Sequence, residues 1–320
     1  MQITTHLLAG LGLFAAAAAV KVHDFLEGET LLLDLYDEYQ LRRTSLDRLD
    51  AVCHANSERS KAVVSLTTIP SRLPLIDETL KSLLRQSRAP AEIRLNLPKH
   101  SKREDRAYVV PEHLRRLRSL TIVDCEDWGP ATKLIPSLAA LAPEQMIVVV
   151  DDDRIYPANL VENLEAAAEH RPDTAFSLSG WVAPPDLVDR PTTIWTNIQS
   201  TPPVPIRARR QSKPRAVDIM QGMSGYLVRP RFFSLDDLTD YAAAPEAAFF
   251  VDDVWISAHC QAEKQVIPAR RASFERKWNK LLYKQTSLGW INRGGGDVEK
   301  RNNTIMLKHC ARSWRVGGSG

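Results

Sequence analysis

Two short acidic runs carry the side chains best suited to chemistry. Asp151, Asp152 and Asp153 follow directly on the apolar run Ile147–Val150, and Asp252 and Asp253 stand between AAFFV and the helix-patterned VWISAHCQAE. Three adjacent carboxylates repel one another unless a cation sits among them. Carboxylate oxygens are hard ligands, which favours Mg2+ or Mn2+, and an ion held there would act as Lewis acid and template for a departing phosphate. Asp151, Asp152 and Asp153 together are therefore an expected cation site. A plainer reading is helix capping, since PANLVENLEAAAEH follows the first run and Pro157 suits a first helical turn. One aspartate is enough for a cap, so the first run has two to spare and the second has one.

The elements that must hold these acids are legible around them. Four apolar residues with no polar alternation read as a strand covered on both faces, the kind found inside a parallel sheet, and ligands bind at the carboxyl ends of such strands. On the amino-terminal side AVVSLTT, EIRLNLP and LTIVDCE read as strands, and LIDETLKSLLRQ and ATKLIPSLAALA as helices. That alternation predicts an α/β domain with a mainly parallel, mixed sheet flanked by helices. A more irregular half follows, with AFSLSGWV, VDIMQGMSGYLVRP and FFVDDVWISAHCQAE as further elements and a Pro-rich stretch from Pro184 to Pro214.

Taken in order, TTIPSR after the first strand, DWGPATKL, the triple Asp, GMSGYLV and FFVDDVW resemble the landmarks of a GT-A glycosyltransferase of the broad family 2 type. The resemblance spans about residues 61–270. It implies a Rossmann-like fold with a nucleotide-sugar donor on the amino-terminal half and an acceptor on the other, the acceptor being a glycan, lipid or protein hydroxyl. It also implies residue roles. The last acid of the triple usually touches the metal, so Asp153 ranks first, and an earlier one meets ribose or metal, so Asp151 and Asp152 are donor contacts as well. Thr67 and Arg72 are candidates for nucleobase and ribose, and Gly222 and Gly225 for close backbone approach beneath the sugars. His309, in IMLKHC near the chain end, would be a third metal ligand. Asp252 and Asp253 would supply the general base of an inverting transfer, which must sit within hydrogen-bond reach of the attacking oxygen. The family more often shows Glu-Asp at that point, so the Asp-Asp pair is a departure. Lys133 offers a point charge to a diphosphate and Gly129 a close backbone approach. Trp128, Trp181 and Trp255 offer faces for sugar stacking.

The bulk composition is that of a globular chain. Its 320 residues are 44% hydrophobic and 25% charged, and 42 Lys and Arg against 39 Asp and Glu leave a net +3, which gives no electrostatic case for nucleic acid. Arg207–Arg215 concentrates five bases without an acid and reads as a mobile basic loop. Cys53, Cys125, Cys260 and Cys310 are scattered, with no zinc or redox spacing. Residues 1–22 form a hydrophobic segment: Ile3–Val20 holds no acid, Lys or Arg, and as a helix would cover about 27 Å, which predicts a single-pass membrane anchor in preference to a cleaved signal peptide. Residues 23–60 then read as a helical stem with Leu32, Leu35, Tyr36, Tyr39, Leu46 and Leu49 at helical spacing, 61–270 as the glycosyltransferase-like domain, and 271–320 as an extension with a flexible GGSG tail. Two other functions use carboxylate-rich strand ends: a Mg-dependent phosphohydrolase or nuclease, and a non-catalytic subunit that binds nucleotide sugar.

Overall fold

The apolar run ahead of the triple Asp is a strand with a hydrophobic layer on each face, and a sheet grows outward from it. A computed structural model describes residues 2–276, 292 and 294–318, with side chains from residue 12 onward. The principal sheet has eight strands, β1 (Val63–Thr67), β2 (Glu92–Pro98), β3 (Leu120–Cys125), β4 (Ile147–Val149), β5 (Thr174–Ser177), β6 (Arg215–Ala216), β7 (Tyr226–Val228) and β8 (Glu263–Val266), in the order β6-β8-β5-β7-β4-β1-β2-β3. The pairs β1–β2, β1–β4, β2–β3 and β5–β8 are parallel. β7 runs antiparallel between β4 and β5, and β6 antiparallel to β8. The period of two along a strand divides the core. Val148 and Val150 pack with Leu66, Leu95 and Leu80 on one side, whereas Ile147 and Val149 pack with Tyr226, Met220 and Trp255 on the other. Helices Asp77–Leu84 and Leu160–His170 cover the first side, and Ile135–Ala140, Asp252–His259 and Asn302–His309 the second.

This order brings distant segments to one edge. The carboxyl ends of β1 and β4 lie side by side, and because β7 runs the other way, the turn that feeds it, Gly222–Gly225, arrives at the same edge.

The amino-terminal expectation is overturned in part. Gln2–Glu27 is one continuous helix, α1, yet among the described residues no helix is long and apolar enough to cross a membrane. The single-pass anchor, and with it a membrane partner through this segment, is therefore not found. The physical reason is composition: after Phe14 the run consists of alanines, whose methyl groups add little transfer energy, and the last turns carry Lys21, Asp24 and Glu27. Helices α2 (Leu31–Arg43) and α3 (Leu46–Ala55) follow. α2 faces the opposite way from its apolar spacing: Asp34, Glu38 and Leu41 are buried, while Leu32, Tyr36 and Tyr39 are exposed. Its acids are what the domain grips. Asp34 accepts bonds from Thr30 N, Thr30 Oγ1 and Arg271 Nη2, each at 2.7 Å, and buried Glu29 accepts from Glu275 N at 3.1 Å and lies 3.6 Å from Arg154.

The basic run is docked where a mobile loop was expected. Arg207 and Arg209 donate to the carbonyls of Glu27 and Glu29, the Arg210 guanidinium stands 4.1 Å over the Phe25 ring, and Arg215–Ala216 is strand β6. Its charges cap the carboxyl end of α1, where helical carbonyls lack partners. At the other end of the chain Asp218, 1% exposed, accepts backbone bonds from Ala183, Arg315, Val316 and Gly317 at 2.8–3.0 Å, and Gly318 N donates to Ala183 O. The first two residues of the predicted flexible tail are thus held in place. Residues 319 and 320, and 277–291 of the predicted extension, lie outside the described residues.

Candidate active site

At the shared edge the sheet opens into a cavity of about 430 Å³. Thr67, Arg72, Gly129, Lys133, Asp151, Asp152, Asp153, Asp252 and Asp253 all line it, so two acidic runs a hundred residues apart in sequence meet in one site. The segment Gly129–Lys133, a 3-10 turn, is fixed to the middle of the sheet by Ser65. The Ser65 hydroxyl donates to Lys133 O at 2.6 Å, lies 2.7 Å from Ser137 Oγ and accepts from Asn96 Nδ2 at 3.0 Å. With its carbonyl so held, Lys133 sends its ammonium between the acid runs, 2.6 Å from Asp151 Oδ1, 2.7 Å from Asp252 Oδ2 and 3.6 Å from Asp253 Oδ1. Burial disfavours the ammonium, but the charges of Asp151, Asp252 and Asp253 outweigh it and hold its pKa well above the ordinary lysine value.

The three consecutive aspartates separate. Asp151 turns to Lys133, while Asp152, nearly buried, accepts from Thr68 Oγ1 at 2.5 Å and from Arg72 Nη1 at 3.0 Å. Asp153 shares Arg72 at 3.3 Å and keeps 30% of its side chain exposed. Burial, with the charge of Asp152 beside it, pushes Asp153 up to about 6. The backbone under this turn is held by Tyr156, whose hydroxyl accepts from Asp151 N at 2.8 Å and donates to Gly222 O at 3.3 Å. In the second run Asp253 accepts from Gly222 N at 3.0 Å and also keeps 30% of its side chain exposed. Burial, reinforced by Asp252 and Asp151 and partly offset by Lys133, pushes Asp253 up to about 7. Neither Asp252 nor Asp253 caps the helix they open: Val251 holds the cap position and makes no side-chain bond.

Gly222 forms the floor beneath Lys133. A Cβ there would come well inside contact with Lys133 Nζ and within 2.8 Å of Asp151 Oδ1, so the close approach expected of this glycine is to the chain's own charges. Gly129, at φ +60°, is likewise needed for packing, because a Cβ would stand 2.5 Å from Phe249 O. Gly225 does not line the cavity; its φ of +84° turns the chain into β7 against Leu160. His309 belongs elsewhere too, in a second cavity of about 480 Å³ with Trp255, His259, Lys308 and Arg312. Trp181 lines the main cavity, whereas Trp128 stacks on Tyr241 and Trp255 donates Nε1–H to Leu238 O.

Several lining residues carried no signal in the sequence. Ser101, Arg103 and Tyr108 come from or beside the short hairpin of His100–Ser101 and Arg106–Ala107, and Asn292 and Asn303 from the carboxyl-terminal part. Asp127 was readable in DWGPATKL: its Oδ1 accepts from Gly129 N at 2.8 Å.

Among the described residues no three His, Cys, Asp or Glu side chains converge to hold a metal ion, so the expected set of Asp151, Asp153 and His309 is not assembled. A smaller donor set fits. Asp151 and Asp153 both present carboxylate to the cavity, and six acids (Asp127, Asp151, Asp152, Asp153, Asp252, Asp253) against three bases (Arg72, Arg103, Lys133) leave it negative. Mg2+ and similar ions are commonly held by one or two carboxylates, with waters and substrate phosphates completing the shell.

No family model matches the chain, and no curated protein does. Several solved structures are similar to it at low identity. TarS 1-349 of S. aureus is 12% identical over 79% of this chain and 71% of that one, with a TM-score of 0.44. GalNAc-T7, solved with UDP, GalNAc and Mn2+, is 13% identical over 82% of this chain and 52% of that one, at 0.42. A 4-diphosphocytidyl-2C-methyl-D-erythritol synthase is 11% identical over 71% of this chain and 99% of that one, at 0.41.

Proposed function

We propose that the chain is a glycosyltransferase that moves a sugar from a nucleotide-sugar donor to an acceptor hydroxyl with inversion. The observation that carries this reading is the meeting of the two acidic runs in one cavity, with one carboxyl, Asp253, pushed up to about 7 and facing the open space. A base of that strength is matched to proton abstraction near neutral pH. The nucleoside lies by Thr67, Thr68 and Tyr108 at the end of β1, and Arg72 and Arg103 give its diphosphate positive charge. Asp153, with Asp151, would hold a divalent cation whose chemistry is to neutralise charge on the departing diphosphate.

The acceptor hydroxyl stands against Asp253. As its oxygen forms the bond to the anomeric carbon, its proton passes to the free oxygen of Asp253, and the bond from that carbon to the diphosphate breaks on the opposite face. The electron pair leaves with the nucleoside diphosphate. Asp253 ends the cycle protonated and returns the proton to water. A single displacement of this kind inverts the anomeric centre.

The test is a panel of nucleotide sugars followed by thermal shift, with Mn2+ or in excess chelator, and by release of nucleoside diphosphate with and without acceptor. One donor should stabilise the chain by mass action, and Asp153→Asn should abolish the part of that stabilisation that depends on metal. Release of inorganic phosphate from nucleotides without any acceptor would replace the transferase by a phosphohydrolase. Binding without consumption under any acceptor would leave the non-catalytic subunit.

A further inference from the structure

Lys133 has the residue type and the location of a diphosphate ligand, but its geometry assigns it other work. An ammonium has three N–H donors, and here three carboxylates surround it, Asp151 at 2.6 Å, Asp252 at 2.7 Å and Asp253 at 3.6 Å. Only 5% of the side chain is exposed. From below, the absent Cβ of Gly222 makes the room that Nζ occupies, and from behind, the Ser65 bond fixes the Lys133 carbonyl. The ammonium is enclosed by acids, hydrogen-bonded to Asp151 and ion-paired with Asp252, and a turn toward a phosphate would lengthen both contacts.

We infer that Lys133 is a positioning residue that couples the two acidic runs, engaging Asp252 directly so that Asp253 alone remains to take the acceptor's proton. The unequal distances carry the division. At 2.7 Å Asp252 is committed to the ion pair; at 3.6 Å Asp253 feels the charge without losing its free oxygen, and Gly222 N–H holds only the other. The same ammonium ties Asp252 to Asp151, so the donor-side turn and the acceptor-side helix are joined through one charge. This inference rests on the transferase reading for the meaning of the proton, but the arrangement itself is testable without turnover.

The groups that face Asp253 are Lys133, Asp252, Asp151 and Tyr226. Of these only Lys133 favours its ionised form. In Lys133→Met, a neutral side chain of similar length, the Asp253 midpoint, followed by carbon-13 NMR of side-chain carboxyls in the full chain, should rise by about one to three pH units, the usual effect of an opposite charge at this range. Affinity for whichever of uridine, guanosine or thymidine diphosphate stabilises the wild type, measured by calorimetry with Mn2+ present, should stay within about threefold of wild type. Lys133→Arg should keep the midpoint lower than the methionine variant does. If Lys133→Met fails to fold, Gly222→Ala displaces Nζ while keeping its charge, and should raise the same midpoint by a smaller amount. An unmoved Asp253 midpoint, or a loss of nucleoside diphosphate affinity of about tenfold or more, would overturn the inference and return Lys133 to the phosphate. If wild type transfers no sugar at all, the transferase reading fails, and the NMR midpoints still decide the placement of Lys133.

Discussion

The cavity and the seam that binds the amino-terminal helices both bury acids against bases, yet they differ in how far those acids are satisfied. At the seam Asp34 is 1% exposed and fills both oxygens with Thr30 and Arg271. In the cavity Asp253 has one oxygen on Gly222 N–H and the other open, and Asp153 shares Arg72 with Asp152 at 3.3 Å. Sealed charges of the first kind fix the geometry of docking and contribute little net stability against their desolvation. Charges of the second kind keep capacity for a proton or an ion. Burial of charge therefore does not by itself mark a reactive site in this chain; under the proposed function, unfilled carboxylate oxygen beside open space does.

The comparison is broken most severely by Asp253→Asn, which should lower kcat by about 10²-fold or more with the fold intact, checked by turnover and melting on the same sample. Asp252→Asn removes an ion-pair partner instead, so it should lower the melting temperature and cost less than about tenfold in turnover. At the seam, Asp34→Ala should destabilise by roughly 2–3 kcal/mol, at the low end for breaking a buried pair because Arg271 keeps Asp37, while the folded chain retains whatever turnover the wild type shows. Loss of turnover without loss of stability there would erase the distinction between the two regions.

The pH dependence sharpens it. A base pushed up to about 7 is ionised above that pH, so kcat/KM should fall about tenfold for each pH unit below it. Stability should run the other way. Asp253 and Asp153 bind protons more tightly in the folded chain than in the unfolded one, so their contribution is complete below about pH 4 and is lost as pH rises through about 6 for Asp153 and about 7 for Asp253. Denaturant midpoints between pH 5 and 8 should accordingly decline relative to the Asp253→Asn variant. The smallest effect is expected at His309: His309→Ala should leave metal-dependent nucleotide binding within about twofold of wild type, since His309 lines the other cavity.

Much of the sheet was legible because its strands are short apolar runs between turn residues, and Val63–Thr67, Glu92–Pro98, Leu120–Cys125 and Ile147–Val149 fall inside the predicted segments. The convergence of both acidic runs was legible only through their positions at strand and helix ends. What escaped was direction. Nothing in the local spacing of Leu32, Tyr36 and Tyr39 tells that Asp34 faces the protein, because Arg271, which pairs with it, lies more than two hundred residues away. The acidic partners of Lys133 escaped for the same reason: nothing local to a lysine after a Gly-Pro turn tells that the topology sets Asp252 beside it. The hairpin bearing Arg103 has no periodicity to read, and the alanine-rich amino terminus misled by its lack of charge, which is not the same as strong hydrophobicity.

The carboxylate of Asp218 has a consequence for anyone who trims this chain. Three of its four backbone donors come from Arg315, Val316 and Gly317. A version ending at Trp314 would keep every strand and every cavity-lining side chain, yet leave a nearly inaccessible negative charge with a single amide from Ala183. Such a truncation should express poorly or melt at a lower temperature, and the last few residues before the glycine tail are better regarded as a clasp than as dispensable sequence.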